Sequence, residues 1–265
     1  MHILIFLILG LLIGSFLNVV VYRIRVAEDL VFSRSRCPHC KKMIEWYDNI
    51  PLLSFILLKF RCRNCRKKIS WQYPLVELST GIIFAAIGAK YFIVQDISSW
   101  AATLFFLGAA GFLLAILVYD WLYMEIPEIL IWPAVFWSLA FNLFLDWNRG
   151  AFSGEILDVR TYSGILAAFL AFTFFFLLSA FSKEKWMGMG DAYLAVFLGL
   201  VLGWPEILLA LFLSFFIGSV CGIILIAFGK KKMKSQVPFA PFMVAGAFAA
   251  FFWFQPIVDW YFGLF

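Results

Sequence analysis

The sequence predicts an all-α integral membrane protein, a bundle of about eight transmembrane helices with one large loop. Of its 265 residues, 64% are hydrophobic and only 14% are charged, whereas a soluble domain is about half apolar and a quarter charged. Uncharged stretches recur along the chain, and a span needs roughly 20 apolar residues. Because backbone amides in hydrocarbon must pair internally, these stretches are expected to be helices. The composition excludes an ordinary water-soluble globule and a disordered chain.

Each predicted span is a stretch without charged residues, apart from Glu77 in the second. The first has no basic start and no small-residue cleavage site, so we expect a permanent helix rather than a signal peptide. Its Gly10 and Gly14 are four residues apart, which favours close helix packing. The sixth is the shortest. The eight predicted spans are Ile3–Tyr22, Tyr73–Ala89, Ser99–Tyr119, Ile129–Leu145, Thr161–Ser182, Ala192–Trp204, Ile207–Gly229 and Ser235–Val258.

The basic residues predict the orientation of the chain. Eighteen of the 21 Lys and Arg residues fall in loops 23–72, 183–190 and 230–234, which lie on one side of an eight-span bundle. Basic loops stay in the cytoplasm, so both termini are expected outside. Without the short sixth span, the Lys230–Lys234 cluster would fall on the wrong side. The net charge of +5 requires no nucleic-acid partner, because basic loops beside anionic lipid account for it.

Three segments follow from this pattern. Residues 1–22 form the first helix, residues 23–72 a cytoplasmic basic loop, and residues 73–265 a region of seven membrane helices. No internal repeat or low-complexity tract stands out.

Four cysteines in the loop form two pairs with metal-ligand spacing. Cys37 and Cys40 enclose two residues, Cys62 and Cys65 enclose two more, and 21 residues separate the pairs. Two such knuckles can place four thiolates tetrahedrally around zinc. Disulfides are the alternative, but a cytoplasmic loop is in a reducing compartment. A closed four-ligand site predicts a structural Zn²⁺, which would stabilise a loop too small to bury much core.

Two aspartates lie at the predicted cytoplasmic edge of the bilayer. Asp120 follows the third span, and Asp191 precedes the sixth. Two close carboxylates in a poorly solvated place share one proton, which is the chemistry of an aspartic protease. The alternative is that each aspartate caps a helix or marks the interface, and Asp191 is well placed for an N-cap. Glu77 is a further polar candidate, with snorkelling or helix pairing as its simpler role.

Other protease chemistries lack their residues. The chain has two histidines, His2 and His39, and neither shares a span with a serine that could act as a nucleophile. No His-Glu-x-x-His motif occurs, which argues against an intramembrane metalloprotease.

Taken together, these motifs resemble the bacterial type IV prepilin peptidase family. The first helix is similar through Gly14–Val19 and Arg23, and the aspartate motifs through Asp120 with Ile126-Pro127 and Gly188-Met-Gly-Asp191. The sequence departs from the family pattern at Leu122, Glu128, Tyr193 and Ala240. The other similar pieces are Cys37–Cys40, Asp48–Ser54, Cys62–Cys65, Tyr73–Leu78 and Pro238–Phe242.

The resemblance implies an eight-helix aspartyl endopeptidase of the bacterial inner membrane. Such enzymes remove the leader of prepilins or pseudopilins on the cytoplasmic side. Many also methylate the new N-terminal residue with S-adenosylmethionine. By matching position, Asp120 and Asp191 would be catalytic, and Cys37, Cys40, Cys62 and Cys65 would be zinc ligands. No residue is assigned to S-adenosylmethionine.

Two alternatives remain open from the residues. One is a non-enzymatic membrane transporter or secretion-complex subunit with a structural zinc loop. The other is a peptidase that lacks methyltransferase activity. For the enzyme, we expect the charged leader to rest near the basic loop, on Arg61, Arg63, Lys67 and Lys68.

Overall fold

A computed structural model describes residues 2–29, 35–149, 159–185, 187–229 and 237–263. Throughout these ranges the regular secondary structure is helical, and the only bridges between extended residues are isolated pairs in the cysteine loop. A short 3₁₀ helix covers Trp46–Asn49. The α-helices are α1 His2–Val26, α2 Leu53–Leu57, α3 Gln72–Tyr91, α4 Ile97–Tyr123, α5 Glu128–Arg149, α6 Arg160–Ser182, α7 Met189–Leu202, α8 Glu206–Ala227 and α9 Ala240–Phe262.

Each predicted span corresponds to one helix, so the all-helical membrane fold is confirmed, although residues 235–236 of the last predicted span lie outside the described residues. Among the described residues, α1, α4, α5, α6, α8 and α9 are long and apolar enough to cross a membrane. The other two long helices are α3, which carries Glu77 and Lys90, and α7, which has only 14 residues. A 14-residue helix rises about 21 Å, less than the hydrocarbon thickness. The Lys230–Lys234 cluster lies outside the described residues.

The chain divides into two compact units, Met1–Ala115 and Ile116–Phe265. The first unit contains an antiparallel pair, α1 against α3. The predicted glycine contact is confirmed: a Cβ on Gly10 would lie 2.7 Å from the Cα of Gly81, and one on Gly14 would lie 2.7 Å from the Cα of Glu77. Only glycine allows backbones to approach so closely.

The second unit packs its other helices around α7. The α7 side chains of Ala192, Leu194, Ala195, Phe197 and Leu198 are fully buried. Contacts come from α5, α6, α8 and α9. This packing explains how a short helix is held inside the unit. Close approach again uses glycine, because a Cβ on Gly199 would lie 2.3 Å from the backbone nitrogen of Ala168.

A buried polar cluster fixes the start of α6. The Asp146 carboxylate accepts the backbone N–H of Arg160 at 3.1 Å and that of Thr161 at 2.7 Å. The Arg160 guanidinium donates to Asn142 Oδ1 at 2.9 Å and to the Val201 carbonyl at 2.8 Å. One carboxylate therefore satisfies the first amides of α6, and one arginine ties α5 and α6 to the end of α7.

Candidate active site and metal centre

Asp120 lies within the last turn of α4 and is almost fully buried, with 5% of its surface exposed. Its Oδ2 accepts the backbone N–H of Ala240 at 3.2 Å. Ala240 is the first residue of α9, so the amino end of that helix, where unpaired amides concentrate positive potential, points at the carboxylate. The sequence motif around Pro238–Phe242 therefore contacts Asp120.

Asp191 lies in the first turn of α7, and its charge interacts with that of Asp120. The N-cap of α7 is Gly188, without a side-chain capping bond. The alternative that Asp191 is the N-cap is therefore wrong. The structure thus places the carboxylates of Asp120 and Asp191 near enough for their charges to interact, although 70 residues separate them in the sequence.

The turn before Asp191 packs against the segment after Asp120. A Cβ on Gly190 would lie 3.0 Å from Ile126 Cβ and 3.4 Å from Ile126 Cδ1. For a Cβ on Gly188, two residues earlier, the nearest atom in the described part of the chain is the Gly190 backbone nitrogen, at 4.0 Å. The two glycines of the motif therefore differ: Gly190 is needed for close approach, whereas the space beside Gly188 is open.

Aromatic side chains hold the amino end of α9. The Phe239 ring lies 5.1 Å from that of Phe215 and 6.1 Å from that of Phe175. Phe175 and Phe215 are stacked, at 6.0 Å. Phe239 directly precedes Ala240, so these contacts from α6 and α8 position the amide that binds Asp120.

The four loop cysteines form one cluster. Their sulfurs all lie within 4.8 Å of one another, and Cys37 Sγ is 3.9 Å from Cys65 Sγ. All four are free thiols, so the disulfide alternative is not supported. Four sulfurs 2.3 Å from one zinc ion would be about 3.8 Å apart in a tetrahedron. The cluster fits a metal ion of that kind.

The two cysteine knuckles are built alike, in a repeat that the sequence reading missed. Cys37 N–H donates to the Lys42 carbonyl, and Cys62 N–H donates to the Lys67 carbonyl, both at 2.9 Å. Lys41 and Arg66, at equivalent positions, both have positive φ. The signal is in the sequence: Arg-Cys-x-x-Cys-x-Lys-x-Ile occurs at 36–44 and at 61–69.

Backbone amides in the knuckles point at sulfur, as metal knuckles require. A hydrogen bond from the Cys65 backbone N–H to the Cys62 sulfur is the main interaction that lowers the pKa of the Cys62 thiol, to about 7. A thiolate available near neutral pH is the form that binds metal.

The segment between the knuckles is anchored at three points. Arg63 pairs with both carboxylate oxygens of Asp48, at 2.7 and 2.6 Å. Ser54 Oγ accepts the N–H of Ile50 at 3.0 Å. Glu77 Oε2, on α3, accepts the N–H of Leu52 at 2.8 Å. Glu77 therefore joins the loop to a helix, and Arg63, one of the four basic residues expected near the leader, forms an ion pair with Asp48.

Comparison with known proteins finds two matching family models along the chain. Residues 8–91 match the Bacterial Peptidase A24 N-terminal domain, and residues 106–223 match the Type IV leader peptidase family. A protein of Aeromonas hydrophila named prepilin leader peptidase/N-methyltransferase is 31% identical over 95% of this chain and 91% of its own length.

This chain belongs to the type IV leader peptidase family. Two other members carry the same name. The protein of Stutzerimonas stutzeri is 29% identical over 96% of this chain and 92% of its own length. That of Myxococcus xanthus is 36% identical over 86% of this chain and 65% of its own length. No solved structure matches the chain. Membership in a peptidase family disfavours the non-enzymatic transporter or secretion subunit.

Proposed function

We propose that this chain is an aspartyl endopeptidase of the bacterial inner membrane that removes the leader of type IV prepilins or pseudopilins. The observation that carries the proposal is the interaction between Asp120 and Asp191, on helices α4 and α7 of a type IV leader peptidase family member. The names of the relatives, prepilin leader peptidase/N-methyltransferase, supply the substrate class.

The two aspartates would divide the work of hydrolysis. One, ionised, removes a proton from water, and the water oxygen attacks the scissile carbonyl. The other, protonated, donates its proton to the carbonyl oxygen, which gives a tetrahedral diol. Transfer of a proton to the departing nitrogen then breaks the C–N bond, and no covalent intermediate with the enzyme forms. The contact between Gly190 and Ile126 would set the spacing of the carboxylates.

The test is cleavage of a model prepilin by purified protein in detergent. Asp120→Asn and Asp191→Asn should each abolish processing, because an amide can neither accept nor donate the required proton. Asp259→Asn is the matched control: Asp259 is an exposed aspartate near the end of α9, bonded to Gln255. It should retain activity. Full activity in either of the first two variants refutes the assignment.

The cysteine cluster would hold a structural Zn²⁺. Cys37, Cys40, Cys62 and Cys65 supply four soft thiolate ligands at fitting separations, which leaves no open coordination position. The ion would fold the loop rather than take part in hydrolysis. Metal analysis of the purified protein should give one zinc per chain, and a Cys37→Ser, Cys62→Ser double variant should give none.

Methyl transfer is a second proposed activity, favoured by the names of the relatives. S-adenosylmethionine would donate its methyl group to the new N-terminal amine. Mass spectrometry of processed substrate separates the cases: an added methyl supports a bifunctional enzyme, and an unmodified amine indicates a peptidase alone. Because Asp120→Asn and Asp191→Asn should each give no processed substrate, methyl transfer by these variants is measured on leader-free substrate.

The chain is a multi-pass membrane protein, and the basic loops supply its proposed orientation. The cysteine loop would face the cytoplasm, with both termini outside. Reporter enzymes fused after residue 68 and after residue 265 should report opposite compartments.

A further inference from the structure

The length of the uncharged run in α1 indicates how deep in the membrane each part of the first unit lies. Residues 3–22 of α1 are uncharged, and Arg23 follows Tyr22. An uncharged run of this length rises about 30 Å, which equals the hydrocarbon thickness. The boundary of the hydrocarbon at this end of α1 therefore lies near Tyr22. Lys41 Nζ is 3.4 Å from the Tyr22 hydroxyl, which places the first cysteine knuckle at that boundary.

Contacts along α1 give the depth of α3. Asn18 donates to the Tyr73 carbonyl at 3.2 Å, so α3 begins level with residue 18. Glu77 packs against Gly14, which lies eight residues before Tyr22. At 1.5 Å per residue, the Cα of Glu77 is about 12 Å inside the boundary.

The loop follows α3 to this depth. The Leu52 N–H reaches the Glu77 carboxylate at 2.8 Å. The Glu77 Cα is about 12 Å inside the boundary. A fully extended glutamate side chain that points toward the boundary, together with this hydrogen bond, spans less than that distance. Leu52 and the start of α2 therefore lie inside the hydrocarbon boundary, although the sequence reading placed all of residues 23–72 outside it.

The backbone around Leu52 is suited to a dry environment. Outside helices, backbone groups at membrane depth must be satisfied by protein. Ile50 N–H is satisfied by Ser54 Oγ, Leu52 N–H by Glu77, and the Tyr47 carbonyl by the Ser54 hydroxyl at 2.9 Å. Pro51 has no N–H. The N–H groups of Leu53, Ser54 and Ile56 donate to the carbonyls of Pro51, Ile50 and Leu52.

One face of α2 is apolar and exposed, and the other is fixed to the protein. The Phe55 ring, on the fixed face, lies 4.8 Å from Phe60 and 5.2 Å from Trp71, the residue before α3. The outward side chains of Leu53, Ile56 and Leu57 are 57%, 64% and 73% exposed. The next exposed aliphatic residues on α3 are Leu75 and Leu78.

We propose that α2 is a re-entrant segment whose outer face, Leu53, Ile56 and Leu57, contacts lipid acyl chains. Lipid is the expected partner because of the depth of α2. Inside the hydrocarbon boundary, exposed side chains contact acyl chains rather than water. Lys59, just after α2, is exposed, and its side chain is long enough for the ammonium to reach the headgroups. The assignment does not depend on the catalytic proposal.

Photocrosslinking in lipid vesicles tests the proposal. The full chain carries p-benzoylphenylalanine at Ile56 or at Leu57, with Leu12 on α1 as a lipid-facing reference and Met43 in the first knuckle as the matched loop control. Leu12 is 54% and Met43 50% exposed. We expect lipid adducts at 56 and 57 within about twofold of those at 12, and at least about fivefold above those at 43.

Lipid adducts at 56 and 57 no more frequent than at 43 would overturn the proposal. So would dominant crosslinks to a prepilin or to a second copy of the chain. Because a bulky residue could disturb α2, hydroxyl-radical footprinting of the unmodified chain in vesicles provides a second measurement. Leu53, Ile56 and Leu57 should be oxidised at least about fivefold less than Ile93 and Val94, which are similarly exposed aliphatic residues between α3 and α4. Equal oxidation contradicts lipid contact.

Discussion

Substitution of Gly188 and of Gly190 by alanine tests whether each glycine is needed for close packing. Gly190→Ala places a methyl carbon 3.0 Å from Ile126 Cβ. Ordinary carbon contacts are 3.5–4.0 Å, so the Asp191 turn and the Ile126 segment must separate by about 0.5–1 Å. The nearest atom is a Cβ, so a rotation of the Ile126 side chain does not relieve the overlap.

A displacement of this size would change the spacing of the proposed catalytic pair, Asp120 and Asp191. A misplacement of about 1 Å can reduce an enzymatic rate by about 10²-fold. We therefore expect Gly190→Ala to lower kcat/KM for prepilin cleavage by about 10- to 100-fold, even though alanine favours helix formation over glycine by about 1 kcal/mol. Gly188→Ala is the matched control, because its methyl group enters open space at a φ of −78°.

The assay is time-resolved cleavage of a model prepilin by the two variants, purified in the same detergent and checked for equal folding by thermal unfolding. Gly188→Ala should stay within about threefold of the unmodified enzyme, since nothing lies within ordinary contact of the new methyl. Equal losses in both variants would mean that the motif acts through something other than close approach. A fully active Gly190→Ala would refute the geometric reasoning.

Three further perturbations test the anchors of the fold. Metal affinity should fall steadily as the pH drops from about 8 to about 6, because protons compete with the ion for every thiolate, including that of Cys65, whose pKa is raised to about 11; competition with a colorimetric chelator measures this, and a flat profile contradicts it. Glu77→Ala leaves the Leu52 N–H without its acceptor and should destabilise the protein by about 1–3 kcal/mol. Glu77→Gln keeps an acceptor oxygen and should destabilise the protein less. A lower Tm for the Gln variant than for the Ala variant would contradict this role of Glu77. Asp146→Ala removes the acceptor for two amides of α6 and should cost at least about 1–2 kcal/mol, while Asp259→Ala, at an exposed site, should leave Tm nearly unchanged.

The sequence predicted the helices well because apolar composition and backbone pairing decide them. It placed their ends less well, since it ended each span at the first charge. Asp120 and Asp191 both lie inside helices rather than beyond them. A buried carboxylate is tolerated there because a partner is present, such as the Ala240 amide. That partner is 120 residues away and leaves no local signal.

The candidate site was predictable as two motifs but not as an arrangement. Residue types and spacing identified the aspartates and the cysteines. The bond from Glu77 to Leu52, the pairing of Arg63 with Asp48, and the cap that Asp146 provides to α6 all depend on which segments meet in space. The knuckle repeat, in contrast, was readable from the printed residues at an offset of 25.

The repeat of the two knuckles gives the cysteine cluster a mechanical consequence. The two knuckles lie at the two ends of the segment that carries α2. A single ion bound by both knuckles would therefore cross-link these ends and close the segment into a ring. Closing a ring of this length restricts the unfolded chain by about 3 kcal/mol in the cross-link model. Removal of the metal would open this ring, and the hydrogen bond from the Leu52 N–H to Glu77 would remain to hold the segment to α3.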